Sequence, residues 1–206
     1  MRAGRGEDRW GAAVAHLARA DPVLAEIVAR VGPCRLEPRR GRSHFGTLLR
    51  SIVFQQLSGR AAETIHGRFL ALFPGPPRPA DVLAASEGAL RGAGLSAGKV
   101  RSVRALARAC AEGALRLPVR ASWDDARVLE ALTSVHGIGP WTAQMFLMFH
   151  LARPDVLPTG DLGLRKAVHR AYGIPPSAPP HRVERLAERW RPWRTVATWY
   201  LWRSLD

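Results

Sequence analysis

Apolar residues recur three and four positions apart from end to end of this chain, and runs of alternating β-branched residues are absent, so the pattern predicts an all-α protein. In "SHFGTLLRSIVFQQLSG", Phe45, Leu48, Leu49, Ile52, Val53 and Leu57 fall on one broad face, and Ser43 stands where an N-cap is needed. Asp21-Pro22 is an N-cap followed by proline in the first turn, which opens a helix toward Val31. Further helices are expected over about 61–72, after Ser96, after Trp123-Asp124-Asp125, over about 162–172, and over 181–190 and 193–204. Pro- and Gly-rich connections separate them: "PGPPRP", "ARPDVLPTGD" and "GIPPSAPP". The segment 32–42, "GPCRLEPRRGR", reads as a basic, exposed loop.

One predicted helix starts in an unusual way. "VHGIGPWTAQMFLMF" packs two glycines and a proline into Gly137-Ile138-Gly139-Pro140, whereas a helix needs only one capping residue. A run without Cβ atoms allows a close approach to the main chain, and the unpaired N–H groups of the second helix offer an anion site. Gly139, Trp141 and Thr142 have N–H groups to donate there; Pro140 has none. A plain corner between two helices would look similar. Charge favours the phosphate reading, because 31 Lys and Arg stand against 17 Asp and Glu, a formal net charge of +14. Basic side chains gain affinity for a polyanion by releasing its condensed counterions.

Composition narrows the class further. With 206 residues and 47% hydrophobic content, the chain can bury a core as one domain or two small lobes. Cys34 and Cys110 have no metal-ligand spacing and support no disulfide framework, so a reducing cytoplasmic setting is expected. The N-terminal stretch lacks the apolar core of a signal peptide, and no uncharged run approaches the roughly 20 residues that span a bilayer. No membrane association is expected.

Five stretches together carry a specific resemblance: "SIVFQQLSGRAAETI", "GLSAGKVRSVRALA", "LTSVHGIGPWTAQMFLMF", "LPTGDLGLRKAV" and "ERWRPWRTVATWYLW". They resemble the helix-hairpin-helix DNA glycosylases, and within them the compact 3-methyladenine DNA glycosylase II type. The resemblance implies a two-lobed helical fold with the active-site cleft between lobes. One lobe, 48–154, would be a helical barrel containing the hairpin at about 129–150. The other would be discontinuous, 1–47 with 155–206, and would carry the catalytic Asp.

By local setting Asp161 is well suited to capping the helix that follows it; the resemblance gives it the catalytic role. Departure of a base builds positive charge on the deoxyribose, which a fixed carboxylate stabilises while orienting the attacking water. Relatives that also cleave the strand carry a lysine just after the Gly-x-Gly turn. Trp141 occupies that place, and neither Lys99 nor Lys166 replaces it in sequence, so a monofunctional hydrolase is expected. The resemblance further implies a base pocket of Trp202, Trp141, Met145, Phe149 and His150, where a flipped cationic alkylpurine would gain a cation–π term. Met145 and Phe149, four apart on an apolar helix, are equally placed to be core. DNA contacts are expected from Gln56, Ser58, Ser96, Ala97, Gly98, Lys99, Gly137, Gly139 and Thr142. Gln56 would plug the emptied stack, and the turn at 96–98 would press into the minor groove, although it has no bulky apolar residue. No cofactor is required; a structural Na+ or K+ on the carbonyls of Thr133, Val135 and Ile138 is implied. The expected partner is damaged double-stranded DNA and the expected state a monomer. A non-catalytic helix-hairpin-helix DNA-binding protein, or a glycosylase with another base preference, is the alternative.

Overall fold

The computed structural model describes residues 9–38, 43–119 and 122–206; residues 39–42 of the expected basic loop lie outside them. Among the described residues the regular structure is helical, with no strand, and no helix is long and apolar enough to cross a membrane. The chain divides into two compact units, Met1–Pro38 with Leu147–Asp206, and Arg39–Phe146. The division falls inside one helix.

The discontinuous unit holds α1 (Gly11–Ala20), α2 (Pro22–Val31) and, after the other unit, α10 (Leu162–Tyr172), α11 (Pro180–Ala187), a 3-10 turn (Glu188–Trp190) and α12 (Arg194–Arg203). Its core gathers Leu17, Leu24, Leu164, Val168, Trp190 and Leu201. Asp21 lies at its centre with no solvent exposure. One carboxylate oxygen accepts from the N–H groups of Val23 and Leu24, capping α2. The other accepts from the Tyr172 hydroxyl at 2.9 Å and the Trp190 indole N–H at 2.8 Å. Burial, and then the Asp21 charge, push the Tyr172 phenol far up, so it stays a donor. At the other end of α2 the Tyr200 hydroxyl of α12 donates to the Gly32 carbonyl at 2.9 Å. One helix from the start of the chain thus fixes two from its end.

The contiguous unit runs through α3 (His44–Phe54), α4 (Gly59–Leu70), α5 (Pro79–Ala84), α6 (Glu87–Gly92), α7 (Ala97–Ala111) and α8 (Asp125–Thr133) into α9 (Pro140–Phe149). Phe45, Leu48, Leu49, Ile52 and Val53 of α3 are buried, as their common face requires. Leu57 departs from that face. The helix stops at Phe54, Gln56 takes a positive φ of 56°, and Leu57 is left 37% exposed. Position 57 is therefore set by the turn and not by the helical period. His44 anchors this helix start: its Nδ1 accepts from the Val119 N–H at 3.0 Å, and its ring meets Phe146 edge-on.

Two stability predictions follow from these buried groups. Asp21→Ala leaves the Trp190 and Tyr172 donors unpaired inside the core, and is expected to cost about 3–5 kcal/mol in urea denaturation. Burial lowers the His44 pKa from 6.5. A base depressed in the fold contributes stability that is complete above its unfolded value and lost as pH falls through the folded one. The urea midpoint should therefore decline below about pH 6.5, and His44→Asn, which keeps an acceptor beside Val119, should flatten that decline.

Candidate active site

Asp161 is positioned by the Pro-rich connection that precedes it. Thr195 of α12 pins this connection, accepting at its hydroxyl from the Val156 N–H at 2.9 Å and donating to the Arg153 carbonyl at 2.7 Å. Its own N–H donates to the Pro154 carbonyl at 3.0 Å. Arg194 and Arg191 both pair with Asp155 at 2.8 Å. The segment leading into Asp161 is thereby fixed to the helix that carries Trp202.

Asp161 does cap α10, accepting from the Leu164 N–H at 2.7 Å. The same oxygen, Oδ1, also accepts from the Trp202 indole N–H at 2.8 Å. Phe149 stacks against the Trp202 ring at 6.1 Å between centroids and 16° between planes. All three side chains are partly exposed. Within the discontinuous unit the structure thus brings together Asp161, Trp202 and Phe149 from the expected set, with His150 half-buried next to Phe149 along the chain.

The other expected residues belong to the contiguous unit. Its hairpin joins α8 to α9 through turns closed by Val135 N–H to Leu132 carbonyl and Ile138 N–H to Val135 carbonyl. Gly137 has a φ of +90°, and a Cβ there would lie 2.1 Å from the Ser102 hydroxyl of α7. The close approach inferred from sequence at this glycine is therefore made by the protein itself. Beside Gly139 a Cβ would meet nothing within 4 Å, so its backbone faces open space. The two glycines serve different needs.

Gln55 ties the end of α3 to this hairpin. Its side-chain amide donates to the Gly137 carbonyl at 3.0 Å and to the Thr142 hydroxyl at 3.2 Å. Thr142 is buried, which leaves its main-chain N–H in the first turn of α9 as its contribution to an anion site. Gln56, one residue on, is exposed in its left-handed conformation, a strained state for a residue with a Cβ. Ser58 is exposed at the start of α4 and makes no capping bond. The Ser96 hydroxyl caps α7 by accepting from the Lys99 N–H, with Ala97 exposed and Gly98 partly so beside it.

Lys99 has a partner within the unit. Its ammonium donates to the Val53 carbonyl near the end of α3 at 2.6 Å, and partial burial lowers its pKa. Its charge braces α3 on α7. Trp141 is 47% exposed at the start of α9, and Met145 one turn later is partly buried. Cys34 and Cys110 are both free thiols, each pushed up to about 11 by burial, and so poor nucleophiles at neutral pH. Among the described residues, no group of three or more His, Cys, Asp or Glu could hold a metal ion.

The model of the HhH-GPD superfamily base excision DNA repair proteins matches residues 49–192. DNA-3-methyladenine glycosylase 1 of Schizosaccharomyces pombe is 31% identical over 195 residues, covering 92% of this chain and 85% of the relative. A crystal structure of a DNA-3-methyladenine glycosidase from Bacillus halodurans superposes with a TM-score of 0.84 at 34% identity, over 93% of this chain and 88% of that one. A Schizosaccharomyces pombe 3-methyladenine DNA glycosylase, solved in complex with abasic DNA, superposes with a TM-score of 0.79 at 30% identity, over 94% and 96%. This chain belongs to the HhH-GPD superfamily of base excision DNA repair proteins, and within it to the 3-methyladenine DNA glycosylase type.

Proposed function

We propose that this protein is a monofunctional DNA glycosylase that flips an alkylated base out of double-stranded DNA and hydrolyses its N-glycosidic bond, leaving an abasic site. The observation that carries this reading is the Asp161 carboxylate, held by two N–H donors at a helix start, with the Trp202 indole beside it. A protein that only bound DNA would need neither. As the glycosidic bond breaks, its electron pair leaves with the base, and positive charge grows on the sugar. Asp161 stabilises that charge. Water then bonds to C1′, and its proton passes to Asp161.

An N3- or N7-alkylated purine is cationic, so it departs as a neutral base and needs little help from an acid. Trp202, Phe149 and His150, near Asp161 in the discontinuous unit, are proposed to meet the flipped base, their aromatic faces suited to a cationic one; Trp141 and Met145 of α9 are proposed base contacts as well. Gln56 is the proposed plug for the emptied stack; Leu57, exposed at the same turn, is the bulky apolar side chain that the 96–98 turn lacks. Ser58, Ser96, Ala97, Gly98, Gly137, Gly139 and Thr142 complete the proposed DNA face, with Gly139 and the first turn of α9 at a phosphate. Lys99 serves it indirectly, by holding α3. The carbonyls of Thr133, Val135 and Ile138 suit a monovalent cation in chemistry, being uncharged hard oxygens at a helix end; the Val135 carbonyl is also engaged by the Ile138 N–H. Such an ion would serve docking and not the reaction.

The lack of lyase activity rests on the amines. A Schiff base needs a lysine at the reacting sugar. Trp141 follows the hairpin glycines where such a lysine would stand, Lys99 is bonded to Val53, and Lys166 is exposed on α10. Duplexes with a single alkylated base should therefore give strand breaks only after alkaline treatment. Breaks without alkali would overturn the monofunctional reading, and base release from none of the alkylated lesions, despite tight binding, would leave the DNA-binding alternative. Asp161→Asn is expected to lower single-turnover excision by about 100-fold or more while DNA affinity is retained. Turnover at the wild-type rate would remove Asp161 from the mechanism.

A further inference from the structure

Trp202 does more than offer a flat face. Its indole N–H and the Leu164 N–H converge on one carboxylate oxygen, Asp161 Oδ1, at 2.8 and 2.7 Å. The Leu164 bond alone would make Asp161 an ordinary N-cap, a task for which serine, threonine or asparagine serve as well. A second donor from a helix 41 residues away in sequence fixes the carboxylate against rotation about its own side-chain bond. Thr195 and the Asp155 pairs register that helix against the segment leading into Asp161. Phe149 backs the indole from one side.

Gly163 provides the room. A Cβ at this position would sit 3.1 Å from Asp161 Oδ1, and 3.2 Å from both Cδ1 and Nε1 of Trp202. These separations are tighter than ordinary van der Waals contact, and they fall on both ends of the same hydrogen bond. Gly163 lies at the second position of α10, in a conformation open to any residue. Helix formation alone would favour almost any other side chain there. A Cβ there would crowd the Asp161–Trp202 bond by a few tenths of an ångström, and glycine leaves that space open.

We propose that Trp202 and Gly163 are positioning residues for the Asp161 carboxylate: the indole N–H fixes the carboxylate in its reacting orientation, and Gly163 keeps that bond short. This rests on the reading of Asp161 as the catalytic carboxylate. Stacking on a base and orienting the carboxylate are separable tasks of one side chain. The first acts on binding and the second on the chemical step.

The test compares Trp202→Phe, Gly163→Ala and Asp161→Asn in the full chain, on a duplex carrying a single 7-methylguanine. Single-turnover excision reads the chemical step, affinity for a duplex with a 2′-fluoro form of the lesion reads binding, and Tm reports folding. Trp202→Phe keeps an aromatic face and loses the N–H. It should slow the single-turnover rate about ten- to hundred-fold, as loss of a hydrogen bond to a charged group implies, with affinity within about two-fold of wild type. Gly163→Ala keeps both partner side chains in the chain and crowds the bond between them, so it should slow the same step in a variant whose Tm shows it folded. A wild-type rate in either variant, or a loss confined to affinity, overturns the proposal. Should Trp202→Phe fail to fold, Gly163→Ala decides alone. Full activity in Asp161→Asn would instead overturn the catalytic reading itself, so the two failures are distinguishable.

Discussion

A carboxylate without solvent exposure, Asp21, accepts from four donors: two N–H groups of α2, the Tyr172 hydroxyl and the Trp190 indole. A buried charge is costly unless every lone pair is used, and here the partners come from both ends of the chain. Tyr172 is the last residue of α10, the helix that begins at Asp161. The far end of α2 holds α12 through the Tyr200 hydroxyl on the Gly32 carbonyl. Since α12 carries Trp202, one short helix determines the spacing of the two helices that meet at the Asp161–Trp202 bond. A discontinuous unit gains something specific by this construction. The geometry of the proposed reacting carboxylate depends on a polar contact between segments about 150 residues apart.

In the contiguous unit the same problem is solved with different chemistry. Three stretches proposed to face DNA, the turn after α3, the start of α7 and the hairpin, are fastened to one another. Gln55 spans the first and third, Lys99 the first and second, and the contact of Gly137 with Ser102 the second and third. The strained Gln56 directly follows Gln55, which the hairpin holds in place. Lys99 thus has a partner inside the unit, and Gly137 is needed for packing before any phosphate arrives.

Much of this was legible in the sequence, and the exceptions have physical causes. Asp21, Ser43, Ser96, Asp124 and Asp161 announce helix starts because a short polar side chain before an apolar repeat has few other uses, and each of them accepts the capping bond. Helix α1 carried no such signal: its N-cap is Trp10, whose indole instead donates to the Leu36 carbonyl. Leu57 matched the period of α3 but falls beyond its end, where the positive φ of Gln56 turns the chain. The capping role of Asp161 could be foreseen from local pattern; the resemblance put Trp202 in the same site, but not the hydrogen bond between them, because no local pattern pairs residue 161 with residue 202. Gln55 and Lys99 were unreadable for the same reason. Their bonds cross 82 and 46 residues.

The proposed chemistry explains why so sparse a site suffices. A neutral base leaves deoxyribose poorly, and an enzyme acting on one needs an acid at the base as well as an anion at the sugar. A cationic alkylated base has already acquired the charge that protonation would supply. What remains is stabilisation of the sugar cation by a carboxylate whose orientation is set before the substrate arrives, a form of catalysis that depends on fixed geometry more than on the number of groups. The double hydrogen bond on Oδ1, the glycine that makes room for it and the buried Asp21 all supply that fixity. Discrimination then follows from the lability of the damaged bond as much as from the fit of a pocket, and no second acid or lysine is required beside Asp161.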